Sequence, residues 1–229
     1  MSVSESLSQI TDRIASVAKS ADREPSSVEL VAVSKVQPSE RIEAALAAGH
    51  RLFGENRVQE AETRWKSLRP RFADLRLHLI GPLQTNKVRP AVALFDCIES
   101  VDRPKLARAL AREFEAANKR LPCLIQVNTG EEPQKAGVLV QDLDDLVGLC
   151  KDELGLPLDG LMCIPPIEEA PAPHFALLAD LAHRHGLPTL SMGMSGDFET
   201  AIRHGATRVR VGSAVFGPRP NGEKPSSAA

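Results

Sequence analysis

Val28-Glu29-Leu30-Val31-Ala32-Val33-Ser34-Lys35 is the stretch on which the fold turns: a short apolar run, rich in β-branched residues, that ends in an amine. Its length and composition predict a strand. Pro38 and Ser39 then open a helical pattern through Ile42, Ala45 and Leu46, which Gly49 closes. The same unit recurs. Arg51-Leu52-Phe53-Gly54-Glu55-Asn56 leads to a helix through Val58, Ala61 and Trp65, and Leu77-His78-Leu79-Ile80 stops at Gly81-Pro82 before a helical stretch through Val88 and Leu94. Further strands are predicted at 96–101, 124–128, 158–164, 189–193 and 208–211, with helical patterns at 105–119, 143–150, 175–185 and 198–204 between them. About eight strand–helix alternations with short loops predict an α/β chain forming one TIM-type (β/α)8 barrel, rather than an open doubly wound sheet. Leu7, Ile10, Ile14 and Val17 recur at helical spacing, which adds an extra N-terminal helix expected to plug one side of the core. A single barrel domain is expected over residues 1–217, and residues 218–229 have the composition of a disordered tail.

Charge narrows the function classes. With 28 basic against 30 acidic residues, the chain carries no electrostatic footprint for a nucleic acid or an anionic membrane. A small-molecule site is expected. Residues 1–20 lack the apolar core of a signal peptide, and no segment reaches the ~20 apolar residues of a membrane span, so a cytoplasmic protein is the simplest reading. Cys97, Cys123, Cys150 and Cys163 show no C-x-x-C spacing and read as packing residues. The chain has one Trp, seven Phe and no Tyr, a gap that bears on acid/base chemistry below.

Barrel enzymes work at the C-terminal ends of their strands, with phosphate sites often on the loops after strands seven and eight. Here those loops are Ser191-Met192-Gly193-Met194-Ser195-Gly196-Asp197 and Gly212-Ser213-Ala214, whose small residues and hydroxyls offer donors to a phosphate. Taken singly, each also reads as an ordinary strand-to-helix turn with a capping serine. Lys35 gains meaning from them, because strand one neighbours strand eight around a closed barrel. A lysine on an apolar strand end loses its proton more easily than one in water and attacks aldehydes, whereas a lysine without such neighbours is more often a solvated charge. An amine and two phosphate-cradling loops at one rim point to a Schiff-base site for pyridoxal phosphate. Arg210 alternates with Val209 and Val211 and shares its face with Arg208. A guanidinium inside a barrel needs an acceptor: a carboxylate such as Glu55, a phosphate, or an aromatic nitrogen. His78 reads as a hydrogen-bonded core histidine. His183 and His185 fall on different helix faces, and no H-E-x-x-H, cysteine pair or carboxylate triplet suggests a metal.

In order along the chain, Ala32-Val33-Ser34-Lys35, Phe53-Gly54-Glu55-Asn56-Arg57-Val58-Gln59-Glu60, His78-Leu79-Ile80-Gly81-Pro82-Leu83-Gln84-Thr85-Asn86-Lys87, Ser191-Met192-Gly193-Met194-Ser195 and Val209-Arg210-Val211-Gly212-Ser213-Ala214-Val215-Phe216-Gly217 resemble the pyridoxal phosphate homeostasis proteins. The barrel of that family is similar to the N-terminal domain of alanine racemase. The resemblance covers nearly the whole chain. It implies that Lys35 forms the Schiff base, that Ser195, Gly196, Gly212 and Ser213 hold the phosphate, that Arg210 faces the pyridine nitrogen, and that Asn56 and Met192 line the cofactor. Two departures are local. Gln37 stands where some members carry a second lysine, and Gly196 where many carry a polar residue.

The resemblance implies a carrier and regulator of pyridoxal 5'-phosphate in vitamin B6 homeostasis, without catalytic turnover. Cofactor-requiring client enzymes are the expected partners, and the expected state is a monomer or weak dimer. Two alternatives use the same barrel: a racemase-like pyridoxal enzyme, and a cofactor-free lysine Schiff-base aldolase. In alanine racemase the second acid/base is a tyrosine from another domain, and this chain has no tyrosine. An arginine at the pyridine nitrogen also disfavours the protonated ring that carbanion chemistry needs.

Overall fold

The apolar runs become short parallel strands in the computed structural model, which describes residues 1–218. They are β1 (Glu29–Val33), β2 (Leu52–Glu55), β3 (Arg76–Leu79), β4 (Cys97–Val101), β5 (Cys123–Asn128), β6 (Val138–Leu139), β7 (Leu158–Cys163), β8 (Thr189–Ser191) and β9 (Arg208–Val211). Their order is β4-β3-β2-β1-β9-β8-β7-β5, and a β4–β5 pairing closes the ring. The barrel expected from the sequence is therefore present. The addition is β6, which pairs Val138 with Val127 at the end of β5. Two residues are too short to leave a periodic trace.

Helices α1 (Val3–Ser20), α2 (Ser39–Ala47), α3 (Val58–Trp65), α4 (Val88–Leu94), α5 (Pro104–Ala116), α6 (Leu143–Gly148), α7 (Pro171–Arg184), α8 (Phe198–Arg203) and α9 (Ser213–Phe216) surround the ring. The predicted helix at 143–150 runs as α6 and then widens into a π turn over Leu149–Glu153. Alternate strand residues meet the helices: Leu30, Phe53, Leu77, Ile98, Ile125 and Val209 join Ile42, Trp65, Leu106 and Leu178 in one buried layer. Burying each large apolar side chain contributes about 1.5–3 kcal/mol, so this outer layer carries the stability.

Ser2 and Glu5 start α1 with a capping box. Its stripe of Leu7, Ile10, Ile14 and Val17 is buried as the period predicts. As expected, α1 covers one side of the core, lying on the outer wall against α2, α8 and α9. The reason is local: α9 is a single turn, which leaves the flank beside β9 and β1 uncovered. Arg13 fastens α1 to Glu199 of α8 at 2.6 Å, and Arg23 donates to the Ile202 carbonyl at 2.8 Å.

The other strand face points inward. Register places Val31 opposite Arg210, Gly54 opposite His78, His78 opposite Cys97, and Ser191 opposite both Met162 and Arg208. Cys97, Leu124 and Met162 form a small apolar cluster of their own. The rest of the interior combines the apolar Val31 and Ile80 with hydrogen-bonded and charged groups.

Candidate cofactor-binding site

At the end of β1 the chain turns sharply, with the Gln37 N–H donating to the Ser34 carbonyl at 3.2 Å. Val36 sits within the turn at φ 54, a left-handed conformation that a β-branched residue rarely adopts, and such outliers concentrate at binding sites. Lys35, half-buried, precedes it, two residues beyond Val33 at the end of β1. Ser34 faces the other way and donates to Glu55 Oε1 at 2.7 Å. Arg64 and Trp65 donate to the same oxygen at 2.7 and 3.0 Å. Glu55 is thus an outer-face clamp on the residue beside Lys35. The pairing of Glu55 with Arg210 that the sequence allowed does not occur, because Gly54 takes the inward position of β2.

The loops after β8 and β9 meet. Ser195 Oγ accepts from the Ala214 N–H at 3.4 Å, which sets Ser195 beside the start of α9, where Ser213 is the first residue. The first N–H groups of a helix have no partner within it, so they face outward as donors. Gly193 shapes the first loop: at φ +91, a Cβ there would stand 2.5 Å from Ala201 Cβ. Asp197 Oδ1 is occupied within its own loop, accepting from the Met194 N–H at 2.6 Å. Gly196 is exposed, and a side chain there would meet open space. Gly212 is half-buried between β9 and α9. Asn56 follows β2 with its main chain against Gly81. Met192 differs from the others: its side chain is fully buried in the outer layer, so only its backbone can serve a ligand at the rim.

Below the rim lies a buried polar chain. Arg210 Nη1 donates to Ser191 Oγ at 2.8 Å, and Nη2 donates to the Cys163 carbonyl at 2.8 Å. Ser191 Oγ lies 2.5 Å from Glu99 Oε2, and His78 Nδ1 lies 2.7 Å from Glu99 Oε1. Burial alone would raise the Glu99 carboxyl, but the hydrogen bond from His78 and the charges of His78, Arg210 and Arg208 outweigh it and hold it at about 2. Burial lowers Arg210 from the ordinary arginine value, against the opposing pull of Glu99. Arg208, one layer down, meets Glu29 at 3.1 Å, Asp159 at 3.7 Å and Glu99 at 3.8 Å. His78, Cys97 and Glu99 bring ligand atoms within 4.8 Å of one another, yet the Arg208 guanidinium stands 3.8 Å from both Cys97 Sγ and Glu99 Oε1 and already matches the charge. All four thiols are buried, and burial pushes Cys150 and Cys163 up to about 12. Glu99 is the residue the sequence reading passed over. A carboxylate in phase with Cys97 and Val101 on a strand buried throughout was the available signal.

The rim therefore carries an amine, two hydroxyls and glycine-flanked backbone donors above the buried Arg210 guanidinium. This donor set suits a phosphorylated aldehyde with a ring acceptor. The fold and rim define a barrel of the alanine racemase N-terminal type, and the model of that domain matches residues 6–220. The pyridoxal phosphate homeostasis protein of Pseudomonas aeruginosa is 44% identical, with 96% of this chain and 97% of that one covered. Its Escherichia coli K12 counterpart is 36% identical over 97% and 99%. The solved structure of PipY from Synechococcus elongatus with PLP bound superposes with a TM-score of 0.79 at 38% identity, covering 91% of this chain and all of that one. The chain belongs to the pyridoxal phosphate homeostasis protein family.

Proposed function

We propose that this chain binds pyridoxal 5'-phosphate at the rim and serves the homeostasis of that cofactor rather than turning over a substrate. What supports the reading is that Lys35 follows β1, the Ser195 loop follows β8 and Gly212–Ser213 follow β9, all at the same end of neighbouring strands, with Arg210 on β9. Lys35 would hold the aldehyde covalently through Nζ. Ser195, Ser213 and the N–H groups of Gly196 and Gly212 would bind the phosphate, with Asn56 and the Met192 backbone beside them. When bound, the cofactor supplies an aldehyde and an electron-withdrawing ring. Arginine stays protonated at any workable pH, so Arg210 would donate to the ring nitrogen and keep it an acceptor, which would leave the ring a poor electron sink. No tyrosine is present to move a proton on the opposite face. Among the described residues no helix is long and apolar enough to cross a membrane. The proposed role is that of a cytoplasmic monomer or weak dimer that supplies cofactor-requiring enzymes.

Borohydride reduction of the cofactor-loaded protein, followed by peptide mapping, tests the site, with the adduct expected on Lys35. An undiminished adduct on another lysine sinks the assignment. Incubation with L-amino acids in deuterium oxide tests the absence of turnover. Loss of α-protons at the typical enzyme rate of about 1–10³ per second would replace the carrier reading with an enzyme.

A further inference from the structure

Glu99 is fully buried, and both of its oxygens are engaged, Oε1 with His78 Nδ1 and Oε2 with Ser191 Oγ. Ser191 Oγ also accepts from Arg210 Nη1. A guanidinium only donates and an ionised carboxylate only accepts, while a hydroxyl has one proton. The Ser191 proton must therefore point at Glu99 and a lone pair at Arg210. This relay has one polarity, and it carries the carboxylate's influence to Arg210 without the two side chains touching. The second terminal nitrogen of Arg210 is held by the Cys163 carbonyl of β7. Anchored from β7 and β8 at once, a planar fork has one orientation. Arg208 closes the column from below.

Resting on the reading that Arg210 faces the ring nitrogen of pyridoxal phosphate, we infer that Glu99, acting through Ser191, is the positioning residue that fixes Arg210 as donor to that nitrogen and so makes the site prefer a pyridine to a carbocyclic ring. Glu99→Gln keeps the volume and removes the charge. With its amide oxygen on His78 Nδ1, its N–H donates to Ser191, whose two lone pairs then accept from the amide and from Arg210 together while its proton loses its acceptor. The hydroxyl is no longer oriented by a carboxylate, and Arg210 loses the anchor that fixed its tilt. Ser191→Ala removes the relay with a smaller loss of buried polarity, and Glu99→Asp keeps its sign.

The experiment measures binding of pyridoxal phosphate and of its analogue with CH in place of the ring nitrogen to the full chain and to the three variants. A hydrogen bond to a charged donor is worth about tenfold or more, so the unmodified chain should prefer the pyridine by at least that factor. Glu99→Gln and Ser191→Ala should lose most of this preference while holding the analogue nearly as well as before. Glu99→Asp should restore part of it. The absorption band of the bound aldehyde should also become pH-dependent in Glu99→Gln, as the nitrogen becomes free to take a proton. Equal weakening of both ligands marks a merely structural role and overturns the inference, as does a preference that survives in both variants. If Glu99→Gln does not fold, Ser191→Ala decides alone. No preference in the unmodified chain defeats the Arg210 contact and this inference with it. A retained borohydride-trapped Lys35 adduct in that case shows that cofactor binding itself stands.

Discussion

The same strands build two unlike faces. Outward, Phe53, Leu77 and Ile98 pack against helices in a continuous apolar layer; inward, Gly54, His78 and Glu99 from those strands line a column of hydrogen-bonded and charged groups that climbs through Ser191 to Arg210. Stability scales with apolar area removed from water, and the outer face holds most of it. The inner face spends desolvation energy to hold a guanidinium in one pose, an expense a purely structural core would avoid by burying leucines there. The contrast separates what keeps the barrel folded from what a ligand feels.

That separation is open to attack at several points. Lys35→Ala should abolish the borohydride-trapped cofactor adduct completely and leave the denaturation midpoint nearly unchanged; a large loss of stability would mean that the rim also supports the fold. Phe53→Ala on the opposite face should do the reverse, costing about 3–5 kcal/mol in urea unfolding while the surviving folded protein still traps cofactor at Lys35. Acid unfolding probes the column itself. Because Glu99 is held at about 2 in the folded chain against an ordinary 4.5, its contribution is complete above pH 4.5 and disappears as pH falls toward 2. That contribution is about 3 kcal/mol, and Glu99→Gln should flatten this limb of the stability profile; an unchanged limb would show that the carboxylate is not so held. Ser213→Ala should be smaller and purely local, weakening pyridoxal phosphate by roughly 1.5–3 kcal/mol while sparing pyridoxal, which lacks the phosphate. Equal affinity of the unmodified chain for these two aldehydes would remove the phosphate site altogether.

Most of the barrel was legible because its wall is regular. Short β-branched runs alternating with amphipathic helical spacing leave few topologies, and the order of Lys35, the serine loops and Arg210 around a closed ring followed from strand adjacency. What escaped lay where local pattern carries no information. Glu55 was offered as a partner for Arg210, yet period-two alternation from the inward Gly54 sends it outward to Ser34, Arg64 and Trp65. Glu99 drew no notice because its partners come from β3, β8 and β9, far away in sequence, although the argument applied to Arg210 applies to it in mirror image. Met192 shows what a motif position leaves open: its side chain is buried in the outer layer, so only its backbone is available to a ligand at the rim. Which flank α1 covers depends on α9 being one turn long, which the residues after Gly212 do not announce.

The placement of α1 against α8 and α9 also sets an order of events while the chain is being made. Arg13 and Glu199 are 186 residues apart, and β1 finds one of its two neighbours only when β9 arrives. A nascent chain therefore carries an unpaired β1 edge, and an α1 that can meet α2 but not yet α8 or α9, until almost all of it has been synthesised. Pairings so distant in sequence close slowly, and edges that wait are prone to join other chains. Pairing of β1 with β9 therefore has to wait for nearly the whole chain, and a product that ends before α8 lacks the helices that cover this flank of α1.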